Sequence, residues 1–336
     1  MNQINRRITL ASRPDGYPGE ANFKLVEAPV PSPGPGQVLV RALYLSLDPY
    51  MRGRMSDAKS YAAPVPIGGV MEGAIVGRVI ASENPKFPVG TMVEGRLGWQ
   101  DYGLSDGRNI RAVDPKAGPL SYSLGVLGMP GLTAYFGLLD VCRPHAGDTV
   151  VVSAASGAVG QVVGQIAKIM DCRVVGIAGG AQKVDYVTRE LGFDAGIDYK
   201  SGDLAAGLAK ACPDGVDCYF DNVGGKVSDA VFANLAYRAR IAICGQIALY
   251  NVDTPEPGTR NLRFMLVNRA VMEGFLVSDF TDRWPMGLKR LSRWVREGRI
   301  KYREDVVQGL ENAPKAFLRL FDGSNFGKLV VKIADE

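Results

Sequence analysis

Histidine is almost missing from the sequence: His145 is the only one among 336 residues, and neither histidine nor cysteine occurs before Cys142. Catalytic zinc is held by Cys, His and acidic side chains, so the first 141 residues offer only carboxylates and exclude a site of that kind. The five cysteines (Cys142, Cys172, Cys212, Cys218, Cys244) are odd in number and form no C-x-x-C pair, which argues against a disulfide framework and a thiolate metal cage. They are expected to be reduced and mostly buried. No apolar run approaches ~18 uncharged residues, and Met1 to Leu10 contains two arginines but no hydrophobic segment of signal-peptide length. No membrane span is expected, and the cytoplasm is the expected address. A net charge of +4 without any Lys/Arg block gives no reason to expect nucleic acid as a partner.

What is present is the balance of a folded protein, with 46% apolar and 22% charged residues, and a length suited to about two cores. The first part alternates short β-rich runs with Gly/Pro punctuation: Lys24 to Ala28, Gln37 to Leu47, Gly73 to Ala81, Gly90 to Arg96 and Asn109 to Val113. This predicts an antiparallel, barrel-like domain. Prolines at 29, 31, 33 and 35 make 29–36 an extended connector rather than a strand or helix.

From Gly128 the pattern becomes strand, helix, strand, helix, the signature of a parallel sheet covered by helices. Strands are predicted at Thr149 to Ser153, Arg173 to Ala178, Gly196 to Tyr199, Val216 to Asp221, Ile241 to Gly245 and Val271 to Phe275, about six in all. Helices are predicted at Val159 to Met170, Gln182 to Leu191, Lys226 to Tyr237, Arg283 to Gly298 and Ala313 to Phe321. A last β run, Lys328 to Ile333, is predicted to return to the first domain. The expected class is therefore α/β with a β-rich domain: a partly open β-barrel from 1–126 and 302–336, and a doubly wound parallel sheet from 127–301. His145, in a Pro-His-Ala-Gly-Asp turn, reads as a solvated or structural residue.

The first strand–helix junction of the parallel part reads Ala154-Ala155-Ser156-Gly157-Ala158-Val159-Gly160, a G-x-G-x-x-G variant whose first glycine is alanine. Gly157 lets the backbone approach a pyrophosphate, Gly160 allows close helix–strand packing, and the helix N-terminus favours the anion. The second strand ends Ala178-Gly179-Gly180-Ala181-Gln182-Lys183. An NAD site places an acid there for the ribose hydroxyls. Its absence, with Lys183 able to pair a 2′-phosphate, favours NADP(H).

Five segments in order, Asp48-Pro49-Tyr50-Met51-Arg52-Gly53, Met129-Pro130-Gly131-Leu132-Thr133-Ala134-Tyr135, the 154–160 loop, Asp221-Asn222-Val223-Gly224-Gly225 and Cys244-Gly245-Gln246-Ile247, are carried by the chain. Together they resemble the leukotriene hydroxydehydrogenase/prostaglandin reductase branch of the zinc-independent medium-chain dehydrogenase/reductases. That branch includes alkenal double-bond reductases and bacterial curcumin-reductase-like proteins. The resemblance implies a GroES-like catalytic domain, a Rossmann domain and a homodimer. For the cofactor it implies Gly157, Ala158, Val159 and Gly160 at the phosphates, and Lys183 and Tyr199 at the 2′-phosphate. It further implies Asn222, Thr133, Cys244, Phe275, Leu276, Val277 and Asn325 on the nicotinamide side. Tyr50 and Tyr250 match tyrosines placed over a reacting enone. Gln246 stands where many relatives have a small residue, so a reshaped pocket is expected there.

Reduction of an activated C=C bond needs a hydride delivered to the β-carbon and a hydrogen-bond donor for the oxygen on which enolate charge develops. The expected activity is therefore NADPH-dependent reduction of a small apolar enal or enone without metal. Tyr250, Tyr50 or the cofactor's ribose hydroxyl is the donor, with Tyr250 favoured because it follows a sheet strand. Tyr50, Met51, Tyr61, Met71 and Tyr250 are candidate pocket residues, and 254–259 is either a flap or an inert loop. A quinone reductase and a non-catalytic NADPH-binding protein are the alternatives.

Overall fold

The computed structural model describes residues 4–252, 254, 257–258 and 261–336. It divides into two compact units, Met1–Gly125 with Glu304–Glu336, and Val126–Arg303.

The first unit opens with the strands β1 (Ile4–Leu10), β2 (Phe23–Pro29), β3 (Val38–Ser46), β4 (Ala74–Ser82), β5 (Met92–Arg96), β6 (Tyr102–Ser105) and β7 (Ile110–Ala112). The second contributes β8 (Thr149–Ser153), β9 (Arg173–Ala178), β10 (Ala195–Asp198), β11 (Val216–Asp221), β12 (Leu235–Ile243) and β13 (Val271–Gly274). The chain then returns to the first unit as β14 (Glu304–Gln308) and β15 (Lys328–Lys332).

In the first unit β1 and β2 form an antiparallel pair, and a seven-stranded sheet runs β14-β15-β3-β4-β5-β7 with β6 on β3. Alternation in β3 sends Val38, Val40 and Ala42, and beyond the register shift at Ala42/Tyr44 also Leu45, into one core with Ile75, Val79, Val93, Leu329 and Val331. Phe23 stacks on Trp99 at 5.6 Å between ring centres, and Phe317, from the helix Ala313–Asp322, meets both edge-on. One charged pair is enclosed among these groups. The Lys328 ammonium, fully buried, donates to the Leu47 carbonyl at 2.9 Å and to Asp48 Oδ1 at 2.7 Å, and Ser46 Oγ donates to the same carboxylate. This pair sets the chain direction just before Tyr50, which begins the turn Met51–Arg54.

The second unit is a six-stranded, all-parallel sheet of order β10-β9-β8-β11-β12-β13. β8 (Thr-Val-Val-Val-Ser) is buried along its whole length, as expected of a parallel strand covered on both faces. Strand order reverses between β8 and β11, so the loops leaving these two neighbours part to opposite sides and open a crevice at their carboxyl ends.

Two local expectations change. Lys226 to Tyr237 is not one helix: the helix is Gly225–Phe232, and β12 starts at Leu235, six residues before the expected Ile241. Leu-Ala-Tyr-Arg-Ala-Arg has helical propensity, yet Asn234 ends the helix by donating from its backbone to Val231 (2.9 Å) and from Nδ2 to Ala230 (2.9 Å). Pairing with β11 then overrides propensity, with Arg238 in the left-handed region (φ 60°) and a register shift opposite Val216–Cys218. The strands β1, β6 and β14 and the helices Met129–Phe136, Leu204–Ala211 and Leu262–Asn268 are additional to the predicted elements.

Candidate active site

The site is built upward from the carboxyl end of β8. After Ser153 the chain turns through Ala154, in a left-handed conformation (φ 49°), and Gly157 N–H returns to the Ala154 carbonyl at 2.9 Å. The helix Gly160–Ile169 starts against this turn: a Cβ on Gly160 would lie 2.3 Å from the Ala154 oxygen and one on Gly157 3.1 Å from it. Any side chain at Gly160 would push the helix off the strand. Among the described residues, the N–H groups of Ala158 and Val159 donate to no protein acceptor. A turn with those donors at a helix N-terminus suits a phosphate group.

At the end of β9, Gly179 is overlaid by the next loop, since a Cβ there would meet the Tyr199 hydroxyl and Lys200 Cε, each at 3.0 Å. Gly180 has φ 97° and opens the helical turn that carries Lys183. The nearest acid, Asp198, is committed to the backbone: its Oδ1 accepts from Gly180 N (2.8 Å) and Lys200 N (2.9 Å). Those bonds, with one from Ser201, hold its carboxyl below the ordinary range. Asp198 therefore ties the two turns together while Lys183, Tyr199 and Lys200 supply two cations and a hydroxyl. Lys200 was not singled out in the sequence; it follows β10, and no spacing rule connects it to Gly179.

The carboxyl ends of β8, β11 and β12 converge on Asp221, only 1% exposed. Its Oδ1 accepts from Ser153 Oγ (3.2 Å), Tyr219 Oη (2.9 Å), Val223 N (2.9 Å) and Gly224 N (2.9 Å). Its Oδ2 accepts from Ser228 Oγ (2.6 Å) and Gln246 Nε2 (3.0 Å). A buried carboxylate so furnished is an anchor. Asn222 is held beside it, its N–H on Ser153 Oγ and its Nδ2 on the Ser153 carbonyl, both at 2.8 Å. The loop after β12 is laced to the same place: Cys244 N and Gly245 N donate to the Asp221 carbonyl, Ile247 N to Asn222 and Ala248 N to Val223. That lacing carries Tyr250, whose hydroxyl lies over Gly245 and accepts from Gln246 N–H at 3.5 Å. Burial, then the nearby Asp221, pushes the half-buried Cys244 thiol up to about 12, so it is neutral at ordinary pH.

Gln246 turns its side chain to Asp221 and the Gly245 carbonyl, forming an internal tether. The Thr133 hydroxyl is spent on its own helix, at 2.8 Å from the Met129 carbonyl. Phe275 points into the interior, edge-on to Phe220 at 6.1 Å, so backbone is what it offers a ligand, while Leu276 is 37% exposed and Val277 is partly buried. Tyr50 and Asn325 belong to the first unit. Burial, with Asp48 and Glu72 nearby, raises the proton affinity of Tyr50 well above that of an ordinary phenol. Met51 and Met71 are fully buried core residues and not pocket lining, because that core closes over them, and Tyr61 is 62% exposed. The His145 side chain is exposed, 3.5 Å from Asp148. Much of the 254–259 loop (255, 256 and 259) lies outside the described residues.

A doubly wound parallel sheet with a glycine turn at its switch point, accompanied by an antiparallel unit, defines a nucleotide-dependent oxidoreductase of the two-unit kind. Family models agree. One described as the N-terminal domain of oxidoreductase matches residues 6–113, and one described as zinc-binding dehydrogenase matches residues 158–293. The chain is 50% identical to an NADPH-dependent curcumin reductase of Escherichia coli, covering 99% of this chain and 98% of the relative. It is 44% identical to a tobacco (Nicotiana tabacum) NADP(+)-dependent 2-alkenal reductase, covering 99% and 98%. The crystal structure of CurA in complex with NADPH from Vibrio vulnificus superposes with a TM-score of 0.94 at 50% identity, covering 98% of this chain and 100% of that one. The chain belongs to the medium-chain dehydrogenase/reductases, in the branch of the curcumin and alkenal reductases.

Proposed function

We propose that the protein reduces the C=C bond of α,β-unsaturated aldehydes and ketones with NADPH, without a metal. The observation that carries this reading is the gathering of Asn222, the Cys244–Gln246 backbone and the Tyr250 hydroxyl at the strand ends beside the glycine turn. When bound, NADPH supplies the hydride.

The chain's own groups do the rest. The 157–160 turn takes the pyrophosphate, and Lys183, Tyr199 and Lys200 take the 2′-phosphate. Asn222 is the ribose-side ligand, and Thr133, Cys244, Phe275, Leu276 and Val277 bound the nicotinamide side. Negative charge reaching the substrate oxygen calls for a hydrogen-bond donor, a role we give to Tyr250. An N–H already aimed at its phenol oxygen offsets the charge that oxygen acquires as the proton leaves. Tyr50, whose burial opposes ionisation, is assigned to substrate contact; its part and that of Asn325 follow from the family resemblance. Since no Cys or His precedes Cys142, the carbonyl is polarised by a hydroxyl in this reading and not by zinc.

The reading includes a homodimer in the cytoplasm. β13 is the last strand of its sheet and is exposed at every residue, with Val271 59% and Met272 48% accessible, and Leu262 and Leu266 of the preceding helix stand out beside it. An open, apolar edge of this kind is suited to pairing with a second copy. The five cysteines are free thiols, which fits a reducing compartment. No helix among the described residues is long and apolar enough to cross a membrane.

Oxidation of NADPH followed at 340 nm with 2-nonenal, 3-nonen-2-one, curcumin, a simple quinone and a saturated aldehyde tests the proposal, with NADH run in parallel. Turnover of the enal and enones, preference for NADPH and no reaction with the saturated aldehyde are expected. Activity confined to the quinone replaces the reading with a quinone reductase. Binding without any oxidation replaces it with a non-catalytic nucleotide-binding protein.

A further inference from the structure

Gln246 makes contacts that neither the glycine turn nor the cofactor phosphates explain. Its side-chain nitrogen donates to Asp221 Oδ2 at 3.0 Å and to the Gly245 carbonyl at 3.1 Å, while its backbone nitrogen donates to the Tyr250 hydroxyl at 3.5 Å. The side-chain oxygen fills the space above Gly224, where a Cβ would stand 2.2 Å away. Gly224 has φ 75°, so the glycine answers both a left-handed backbone and the room that Gln246 needs. The anchor at the far end is immobile, because Asp221 is enclosed and holds donors from Ser153, Tyr219, Val223, Gly224 and Ser228 as well.

From this arrangement we infer that Gln246 is a positioning residue for Tyr250: its amide, pinned to Asp221, fixes the peptide N–H that meets the tyrosine oxygen. The inference rests on the reading of Tyr250 as the donor to the substrate oxygen. Chemistry selects the residue type. A carboxylate lined with donors accepts one more from an amide NH2, whereas glutamate at the same place would set two like charges together and a hydrocarbon would leave Asp221 Oδ2 one donor short. Backbone bonds from Ile247 and Ala248 hold the rest of the loop in either case, so loss of the tether is expected to tilt the hydroxyl rather than unfold the loop.

The test is a double-mutant cycle of Gln246→Met with Tyr250→Phe, measured as kcat and KM for NADPH and an enone, with Tm recorded for each variant. Methionine keeps the length of the side chain and removes the donor. Loss of one hydrogen bond to a charged group is expected to lower kcat about threefold to tenfold in the Tyr250 background. KM for NADPH is expected to move less than about twofold, by the same logic of a bond that touches no cofactor group. In the Tyr250→Phe background the same change is expected to leave kcat unaltered, because the group it positions has gone. Equal losses in both backgrounds, or none in either, overturn the inference and leave the function standing. Full activity of Tyr250→Phe alone overturns the donor role of Tyr250 and the inference with it. Should Gln246→Met lower Tm too far to assay, Gln246→Ala is measured in the same cycle and is held to the same outcomes.

Discussion

Tyr50 takes its place from a hydrophobic core, whereas Tyr250 takes its place from a loop laced to strand ends. Before Tyr50 stands a buried ion pair, Asp48 with Lys328, and after it come Met51 and Met55, fully buried. Around Tyr250 the loop is tied by backbone bonds to Asp221, Asn222 and Val223 and by the Gln246 tether, and these set its position. A core holds a side chain rigidly but desolvates it, and desolvation is what raises the proton affinity of Tyr50. A hydrogen-bonded loop holds a hydroxyl by directed contacts instead. The same residue type is thereby suited to shape in one unit and to proton chemistry in the other.

The largest effect expected is on the core side. Lys328→Met removes one partner of the enclosed pair and strands Asp48, a change worth about 3–5 kcal/mol, or on the order of 10 °C in Tm for a unit of this size. Calorimetry checks it, and adding Asp48→Leu is expected to recover part of the loss. A variant as stable as the parent would mean that the ion pair does not set the Tyr50 turn. Next comes Tyr250→Phe, expected to lower kcat by ~10²-fold, as for loss of one oxyanion donor, with Tm nearly unchanged. If Tyr50→Phe costs more in kcat than Tyr250→Phe, the division of labour between the two is reversed. Lys183→Ala and Lys200→Ala are each expected to raise KM for NADPH about tenfold while leaving NADH alone, from the loss of a charge-assisted bond to phosphate. Equal rises with both cofactors would remove the 2′-phosphate assignment. Smaller again, Tyr50→Phe is expected to change kcat less than about fivefold, a value near that of one ordinary hydrogen bond. Least of all, a disulfide reagent at pH 8 is expected to label the native thiols slowly: burial lifts Cys172 and Cys244 to about 12 and Cys212 to about 11, so thiolate appears only as pH rises toward those values. Rapid labelling of Cys244 would show that its loop opens.

The parallel unit was legible because its strands are continuous apolar runs and its glycine turn has a fixed spacing; both are local signals. Lost to the sequence were features that depend on distant pairing. Leu235 to Tyr237 looks helical until β11 claims it, and Glu304 to Gln308 is a strand only because β15 lies beside it. At the site the motif Asp-Asn-Val-Gly-Gly drew attention to Asn222, while its first residue is the group on which the strand ends converge. Nothing in a linear pattern says that an aspartate will collect donors from Ser153, Ser228 and Gln246. Met51 and Met71 misled for the opposite reason, since side chains suited to lining an apolar pocket are equally suited to filling a core.

The division of the first unit into Met1–Gly125 and Glu304–Glu336 has a consequence for how the chain is made. A ribosome delivers residues from the amino end at roughly 5–20 per second, so β3 and β4 emerge long before β15, which pairs with β3. Until then the place of Phe317, Leu329 and Val331 in that core stands open, and Asp48 waits without its cation. The parallel unit has all of its strands in hand first. The unit that precedes the parallel one is therefore completed after it, and the nascent chain carries an uncovered apolar seam until β15 emerges.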